Sequence, residues 1–386
     1  MVKNLHELIE RGEDSFLQLK VRFDSVDQLA AELCAFSNSE GGKILVGVSD
    51  HGDIVGLDQQ QLQKLNQDIS SACSQKIDPP ISVTTKNVMS GDKLVVVIEV
   101  PRGANKFYMA NGRDVWVKVG ADKRRASREE IQRLLQESAN LFADEGAVDG
   151  TSLADLDLRE FRELYERRIK ESFDESSTPV ETLLENMKLM VNGKCTLAGL
   201  LLLGKKPQYK RPSYVVKAVS YVGSDPAGSE YKDSRDIEGT IPQMFKASIA
   251  FLTNNLRMLQ KDQDFNSIGI LEIPRVALEE AVMNALVHRN YYIASNIRIF
   301  IFDDRVEIRS PGKLPNTLTV ESIQYGIHIE RNPIIVSLLR DFEGIPYRGI
   351  GTGIQRIQRE CEESGIKVEF HNLEKEEQFH VIFYRP

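Results

Sequence analysis

The sequence predicts an α+β protein with more than one domain. Its 386 residues exceed the size of one ordinary domain, which is roughly 100–200 residues. Helical and strand periodicities alternate over residues 1–136, helical patterns dominate residues 153–205, and strands and helices alternate again over residues 270–386. We therefore predict an N-terminal domain at 1–138, a connector at 139–269 and a C-terminal domain that fills the remainder.

The composition is that of an ordinary folded protein, with 41% hydrophobic and 27% charged residues. The net charge of −8 does not favour nucleic-acid binding by the chain as a whole, so any such surface must be local. The four cysteines are widely spaced and predict neither a zinc site nor a disulfide framework. Reduced thiols are typical of a cytoplasmic protein. No stretch approaches the ~18 apolar residues of a membrane span, so no membrane partner is expected.

The N-terminal domain is predicted to be α/β. LAAELCAFSNS at 29–39 has helical spacing, and SREEIQRLLQES at 127–138 begins with an N-cap serine and a capping-box Glu130. Strands are predicted for the apolar or alternating stretches at 43–50, 93–101 and 114–120.

The connector is predicted to be helical or winged-helix-like. Its helical patterns lie at 157–172, 180–193 and 195–205, followed by a strand-like stretch at 215–223 and an amphipathic helix at 243–259. A structural connector or dimer surface is the plainer alternative to a DNA-reading unit, because no side-chain chemistry stands out.

The C-terminal domain shows the clearest order of elements. The helix RVALEEAVMNALVHRNY (275–291) is followed by two alternating strands in NIRIFIFDDRVEIRSPG (296–312). A short helix, the glycine loop RGIGTGI (348–354), a helix and two final strands complete the chain. Such an order indicates a sheet with helices packed on it.

Three features of this domain are spaced as a nucleotide site requires. Glu280, Asn284 and His288 share one helix face, where an asparagine amide oxygen can hold Mg²⁺ and a carboxylate can deprotonate a water. Gly312, in the turn SPGKLP, allows close approach of backbone to a base or sugar. The free N–H groups of the glycine loop before a helix can bind an anion.

Each feature also has a plainer interpretation. A polar helix face is usually only solvated, and SPG is usually only a turn. The glycine loop is not G-x-G-x-x-G and lacks the Lys-Ser/Thr end of a P-loop. The order of the whole set is what favours a nucleotide site.

These residues and their order resemble the GHKL ATPase fold shared by gyrase, MutL-type repair proteins and sensor histidine kinases, and especially its RecG-like C-terminal branch. NALVHRNY at 284–291 carries much of the resemblance. The resemblance implies an α/β sandwich that binds ATP with Mg²⁺, with Glu280 as general base and Asn284 as the Mg²⁺-holding residue. It places Gly312 beside adenine and matches Gly349, Gly351 and Gly353 to the phosphate lid. Thr352, in the same loop, is also predicted to bind the nucleotide. Ser310 stands where the wider superfamily has an adenine-reading aspartate, so phosphate binding is implied more firmly than adenine specificity.

In the N-terminal domain, GEDSFLQLK (12–20), AFSNSEGGKILVGVSDHGDIVGL (35–57) and WVKVGADKRRAS (116–127) resemble the Schlafen-like, Alba-type DNA-binding domain. The resemblance implies nucleic-acid binding and, in some members, an RNA-cutting acidic triad. Glu13 and Asp50 match two of the acids, but Gln18 stands at the middle position. Because glutamine supplies no negative charge to a metal ion, nuclease activity is the less favoured expectation.

A basic stretch near the end of this domain is a candidate nucleic-acid contact. A cluster of cations beside Trp116 suits phosphate binding and base stacking. The predicted contact residues are Lys118, Lys123, Arg124, Arg125 and Arg128. The alternative is a solvated loop that leads into a helix.

We expect a cytoplasmic, ATP- and nucleic-acid-binding protein in which the ATP state controls DNA or RNA contact or assembly into a homo-oligomer. Transcriptional regulation and antiviral (phage) defence are both compatible with the resemblance. Slow ATP hydrolysis by Glu280 is a further hypothesis. The alternatives are a nucleotide-gated, Schlafen-type nuclease and a scaffold whose assembly ATP locks.

Overall fold

The computed structural model describes residues 2–137, 142–226, 230–260, 269–315, 318–327, 329–347, 349 and 351–386. The chain divides into two compact units between residues 141 and 142. The mixture of helices and sheets confirms the predicted α+β class.

The helices are α1 (Val2–Arg11), α2 (Val26–Asn38), α3 (Gln59–Ser71), α4 (Arg128–Glu137), α5 (Leu158–Ile169), α6 (Val180–Asn186), α7 (Leu197–Leu203), α8 (Pro207–Lys210), α9 (Ile241–Asn255), α10 (Arg275–His288), α11 (Val320–Gln324), α12 (Pro333–Leu339) and α13 (Gly353–Glu363). None of these described helices is long and apolar enough to cross a bilayer.

The strands are β1 (Leu17–Lys20), β2 (Gly42–Val46), β3 (Ile77–Asp78), β4 (Thr84–Ser90), β5 (Lys93–Val100), β6 (Met109–Ala110), β7 (Trp116–Val119), β8 (Asp122–Arg125), β9 (Met190–Val191), β10 (Lys194–Cys195), β11 (Val216–Tyr221), β12 (Tyr231–Ile237), β13 (Met258–Leu259), β14 (Ile270–Leu271), β15 (Ile297–Ile301), β16 (Arg305–Pro311), β17 (Val368–Leu373) and β18 (Gln378–Tyr384).

The N-terminal unit is built on a four-stranded sheet in the order β1-β2-β5-β4. Strands β1 and β2 are parallel, whereas β5 is antiparallel to both of its neighbours. Helix α2 begins at Ser25, whose side chain accepts a hydrogen bond from the Gln28 N–H, and it is buried from Leu29 onward. The strand expected at 43–50 ends earlier, because Gly47 leaves the extended conformation with φ +103°.

The C-terminal unit is built on a six-stranded sheet in the order β12-β11-β15-β16-β18-β17. Only the β11–β15 pair is parallel among these described strands. Buried and partly buried residues alternate along β15, as expected for a strand with one face on a core. Helix α10 packs against α9, α13 and β16, so eight of its 14 residues are buried.

The residues expected to form a connector contribute to two structures. Helices α5, α6 and α7, with the short β9–β10 hairpin, form a mainly helical segment. Strands β11 and β12 and helix α9 instead join the sheet and the core that α10 completes. The division at residues 138/139 and 269/270 stays a prediction, and residues 138–141 of the expected linker lie outside the described residues.

Candidate functional site

A cavity of the C-terminal unit lies between α10, the end of β16, the segment after β16 and the start of α13. It is bounded by polar and glycine residues on one side and by apolar side chains on the other. Every residue assigned to nucleotide binding from the sequence lines it, namely Glu280, Asn284, Gly312, Gly349, Gly351, Thr352 and Gly353. Arg348 and Ile350 of the glycine loop lie outside the described residues.

The start of α13 closely approaches α10. A Cβ atom added at Gly353 would lie 2.7 Å from Oε2 of Glu280 and 3.1 Å from Nδ2 of Asn284. Only a residue without a side chain fits there unchanged. Thr352 makes no side-chain capping hydrogen bond, so that side chain does not cap the first N–H groups of α13. Thr352 and Gly353 line the same cavity as Asn284.

Glu280 and Arg356 form an ion pair across the cavity wall. A guanidinium nitrogen of Arg356 donates a hydrogen bond to Oε1 of Glu280. Their side chains are 13% and 25% exposed, respectively, so the pair is reachable from the cavity. Sequence reasoning did not identify Arg356, although its position one turn into α13, in GTGIQR, is where an arginine can face back toward the glycine loop.

The opposite wall of the cavity is apolar. Its aliphatic lining comes from α11 and the residues on both sides of it, namely Leu314, Leu318, Ile323, Ile327 and Ile329. Tyr347 adds an aromatic ring, and burial, with smaller effects from Glu330 and Glu280, raises the pKa of its hydroxyl. The phenol therefore stays neutral at physiological pH. Apolar walls with a few polar groups at one end suit a ligand that has a flat ring and a charged tail.

The end of α10 is held by a set of buried hydrogen bonds. Asn332 is fully buried and donates to the carbonyl oxygens of Val287 and Arg289 at 2.8 and 3.0 Å. Arg289 contacts the rings of both Tyr214 and Tyr291, with its guanidinium carbon 4.6 and 4.8 Å from their centroids. Arg289 therefore has a structural role.

The turn after β16 is fixed by contacts that the sequence did not reveal. Arg331 donates to the carbonyl oxygens of His288 and Lys313 at 3.1 and 2.8 Å, so it ties α10 to this turn. A Cβ atom at Gly312 would lie 2.6 Å from Cβ of Asn290, and its φ is +105°. Close packing against α10 is therefore sufficient to require glycine at position 312. The hydroxyl of Ser310 donates to the carbonyl oxygen of Ala285 at 3.1 Å.

The donor set at the polar end fits a nucleotide with Mg²⁺. The described residues hold no cluster of three or more His, Cys, Asp or Glu side chains. Such a cluster is not needed, because Mg²⁺ usually takes one or two protein oxygens together with phosphate and water. Asn284 and Glu280 supply an amide and a carboxylate, and Gly353 keeps the approach to both open.

In the N-terminal unit, lysines lie among the acids expected for a nuclease. Gln18 donates to the carboxylate of Glu13, and Nζ of Lys20 lies 3.7 Å from Glu13 and 3.5 Å from Asp50. Glu13 also accepts from the Leu19 N–H at 2.9 Å. The two predicted nuclease acids thus share one lysine, which neutralises part of the charge that a metal ion would need.

Lys118 is not available to a nucleic acid in this structure, contrary to the expectation from the sequence. Its side chain is 1% exposed, and its Nζ donates to Gln18, Glu32 and the carbonyl oxygen of Ala121 at 2.7, 3.3 and 2.6 Å. Lys123 is also paired with the buried Glu32, at 2.6 Å. Lys118 lies within β7 and is paired directly with Lys123 of β8, and the alternation along the hairpin turns Lys118 inward.

The arginines of the same hairpin stay on the surface. Arg124 makes a two-pronged contact with Glu130 at 2.7 and 2.8 Å. Arg125 pairs with Asp114 at 3.3 Å and lies over the ring of Trp116, 5.7 Å from its centroid. Arg128 is exposed at the first turn of α4. These three arginines are the part of the predicted basic cluster that remains accessible.

Both units match known family models. Residues 13–127 match the family described as "Schlafen, AlbA_2". Residues 294–383 match the family described as "Putative ATP-dependent DNA helicase recG C-terminal". These matches confirm the resemblance of both domains, and they suggest a nucleic-acid-related, ATP-binding protein. The second match includes Gly312 and the glycine loop, whereas α10 precedes it. Residues 132–217 match a domain of unknown function.

Two solved structures were compared with the chain. The DIP2311 protein from Corynebacterium diphtheriae is 19% identical, with 100% of this chain and 69% of that chain covered and a TM-score of 0.47. The N-terminal domain of a RecG-related protein from Nitrosomonas europaea is 22% identical, with 26% of this chain and 72% of that chain covered and a TM-score of 0.21. No curated protein matches the chain.

Proposed function

We propose that the C-terminal unit binds ATP together with Mg²⁺ and that the bound nucleotide controls contact of the N-terminal unit with DNA or RNA. The observation that carries this proposal is the convergence of α10 and the start of α13 at one cavity. Seven residues chosen for nucleotide chemistry from three separate parts of the sequence line that cavity.

The proposed roles follow from the chemistry of each wall. The N-terminus of α13, with Gly351, Thr352 and Gly353, would hold phosphate through backbone N–H groups and the helix dipole. Asn284 would hold Mg²⁺, which neutralises phosphate charge when bound. The apolar wall around Tyr347 would cover the base.

Glu280 is the proposed general base for slow ATP hydrolysis. Its carboxylate lies next to Asn284 and the start of α13, where the terminal phosphate would lie. The ion pair with Arg356 occupies Oε1 of this carboxylate, an oxygen that would otherwise be able to accept a proton from water. Hydrolysis therefore requires that this pair loosen.

The N-terminal unit is the proposed nucleic-acid contact, through Arg124, Arg125 and Arg128 rather than through the buried Lys118. Because phosphate contacts release counterions, this binding should weaken steeply with salt. The acids Glu13 and Asp50 are not proposed as a nuclease, since Lys20 lies between them. A role in transcriptional regulation or antiviral defence, with assembly into a homo-oligomer, is compatible with this function.

Equilibrium binding of a fluorescent ATP analogue in the presence of Mg²⁺ tests the nucleotide site. Asn284→Ala should weaken binding by about tenfold or more, which corresponds to the ~1.4 kcal/mol of one charge-assisted contact. Asn186→Ala, an exposed position at the end of α6, is the matched control and should bind like the wild type. Equal affinity of the Asn284 and Asn186 variants would reject the site.

Binding to labelled DNA and RNA over a series of salt concentrations, with and without the analogue, tests the coupling. We expect the affinity or the salt dependence to change when nucleotide is added. A change in oligomer mass without any nucleic-acid binding would instead support a scaffold whose assembly ATP controls.

A further inference from the structure

The Glu280–Arg356 pair lies at the point where the proposed phosphate site meets the proposed general base. Arg356 is one turn into α13, and Glu280 is one turn before Asn284 on α10. Both side chains line the cavity and both are partly exposed, so a ligand in the cavity can reach either one. Most other arginine pairs of the described residues lie on the outer surface.

The chemistry of a guanidinium allows it to exchange a carboxylate partner for a phosphate. A guanidinium binds carboxylate and phosphate with the same forked geometry, and phosphate carries the greater charge. A terminal phosphate bound at the start of α13 would also lie close to the Glu280 carboxylate, because this carboxylate closely approaches the backbone at Gly353. Like charges at that distance repel, and Arg356 is the cation positioned to relieve the repulsion.

We propose that Arg356 exchanges the carboxylate of Glu280 for the terminal phosphate of the bound nucleoside triphosphate, an inference that rests on the proposed ATP site. Arg356 thereby distinguishes a triphosphate from a diphosphate, because only the triphosphate has the group that draws it away. The same movement takes Arg356 off Oε1 of Glu280, so that this oxygen can accept a proton from water when a triphosphate is bound.

Arg356 is held for this exchange by its position on α13. Ile357 and Cys361, on the buried side of the helix, fix the helix against the core, so that Arg356 can change partner by rotating its side chain. Arg359, which follows Arg356 by about one turn on the same helix, pairs with Glu360 at 3.0 Å and is largely exposed. It offers the same residue type on the same helix outside the cavity.

A double-mutant cycle on nucleotide affinity tests the exchange. The variants are Glu280→Gln, Arg356→Gln and the double variant, and the probes are fluorescent, non-hydrolysable ATP and ADP analogues with Mg²⁺. We expect Glu280→Gln to strengthen triphosphate binding and Arg356→Gln to weaken it, each by about tenfold, with less than about a twofold change for the diphosphate. In the Arg356→Gln background, Glu280→Gln should lose most of its effect.

Two further variants serve as controls. Arg359→Gln should bind both nucleotides like the wild type, and Arg356→Lys should retain part of the triphosphate preference, because it keeps the charge but not the fork. Thermal unfolding of every variant checks that it is folded. If Arg356→Gln fails to fold, Arg356→Lys and Glu280→Gln still decide between the outcomes.

The failure of the inference and the failure of the proposed function give different results. Wild type that binds the triphosphate analogue, with additive effects of the two substitutions or equal losses for triphosphate and diphosphate, overturns the exchange and leaves the ATP site in place. A folded wild type that binds neither analogue overturns both.

Discussion

Lys118 and Glu32 in the N-terminal unit form an ion pair, as do Arg356 and Glu280 in the C-terminal unit. The side chains of the first pair are 1% and 2% exposed, and those of the second are 25% and 13% exposed. In the first pair Nζ of Lys118 also donates to Gln18 and to a carbonyl oxygen, so three elements depend on one cation. In the second pair each partner borders a cavity.

The contrast shows how burial decides the role of the same charge chemistry. A cation and a carboxylate that are both sealed from solvent cannot change partners without opening the fold, because an unpaired buried charge is very costly. A pair on a cavity wall can change partners at moderate cost, since water or a ligand can replace either side. The N-terminal pair is therefore structural, whereas the C-terminal pair can respond to a ligand.

The largest expected effect comes from removing the buried cation. Lys118→Met leaves Glu32 buried with only Lys123, so the N-terminal unit should lose about 3 kcal/mol of its free energy of unfolding. The fluorescence of Trp116, the single tryptophan, reports unfolding of this unit in a urea titration. Lys64→Met removes an exposed lysine of α3 and should change the same free energy by less than about 0.5 kcal/mol. Equal effects of the two substitutions would contradict a structural role for the pair.

Asp144, another buried carboxylate, tests whether a neighbouring cation is what keeps the buried Glu32 charged. Asp144 is fully buried, and its carboxylate accepts from the N–H groups of Ile334 and Ile335 at 2.8 and 3.0 Å. Burial raises its pKa to about 6, with Glu145 adding to the rise, while the two N–H groups oppose it. The folded state therefore favours the protonated form, and stability is lost as the pH rises from about 4 to about 6.

The expected loss for the wild type, compared with Asp144→Asn, is about 2 kcal/mol across that interval. The measurement is the unfolding free energy of the wild type minus that of Asp144→Asn, at pH values from 3.5 to 6.5. The contributions of titrating groups that both proteins share, such as His380, cancel in this difference. Asp149→Asn is the control. Contact with Lys194 lowers the pKa of this exposed acid, so the wild type should gain stability relative to Asp149→Asn as the pH rises. A difference that stays constant with pH would show that the backbone N–H groups alone keep Asp144 charged.

Much of the C-terminal site was predictable from local patterns. Periodicity placed α10 and the β15–β16 hairpin, and the order of motifs brought Glu280, Asn284 and the glycine loop to one cavity. The placement of these residues agrees with the structure because it depends on residue type and spacing within one or two elements, whereas the nucleotide-binding roles assigned to them stay predictions.

The pairings between distant positions were not predictable. The contact of Arg356 with Glu280, the capping of α12 by Asp144 and the inward turn of Lys118 each join positions far apart in the chain. In the sequence Lys118 belongs to a run of five cations, and nothing local separates the buried member from the exposed ones. Only the register of β7 against β8, and the position of α2 beneath them, decides which side chain points inward.

The close approach of α13 to α10 predicts a moderate effect on ligand binding without a large effect on stability. Gly353→Ala places a methyl group against Glu280 and Asn284, so affinity for the ATP analogue should fall by about tenfold. Because Gly353 does not have a positive φ and begins a helix, alanine is tolerated by the backbone. Gln355→Ala, exposed on the same turn, is the control, and an equal affinity of both variants would disprove that the cavity depends on this contact.

The smallest expected effect concerns a third kind of pair, which is fully on the surface. Arg124 is 49% exposed and is held by both oxygens of Glu130, whose pKa it lowers to about 2. Glu130→Gln keeps a side-chain acceptor for the Ser127 N–H but removes the charge that competes with phosphate for Arg124. We therefore expect nucleic-acid affinity to rise by about threefold at low salt, because a surface pair contributes less than about 1 kcal/mol.

Asp92→Asn makes the same change in net charge on an exposed turn of the same unit, so it separates a local effect on Arg124 from a general loss of negative charge. If the two variants bind labelled nucleic acid equally well, Arg124 is not a contact residue. If Glu130→Gln alone binds more tightly and its affinity falls more steeply with salt, a phosphate has replaced the carboxylate on Arg124. In that case an arginine would exchange a carboxylate for a phosphate in each unit, Arg124 on the surface of the N-terminal unit and Arg356 in the cavity of the C-terminal unit. The buried Lys118–Glu32 pair would be the one that keeps its partner.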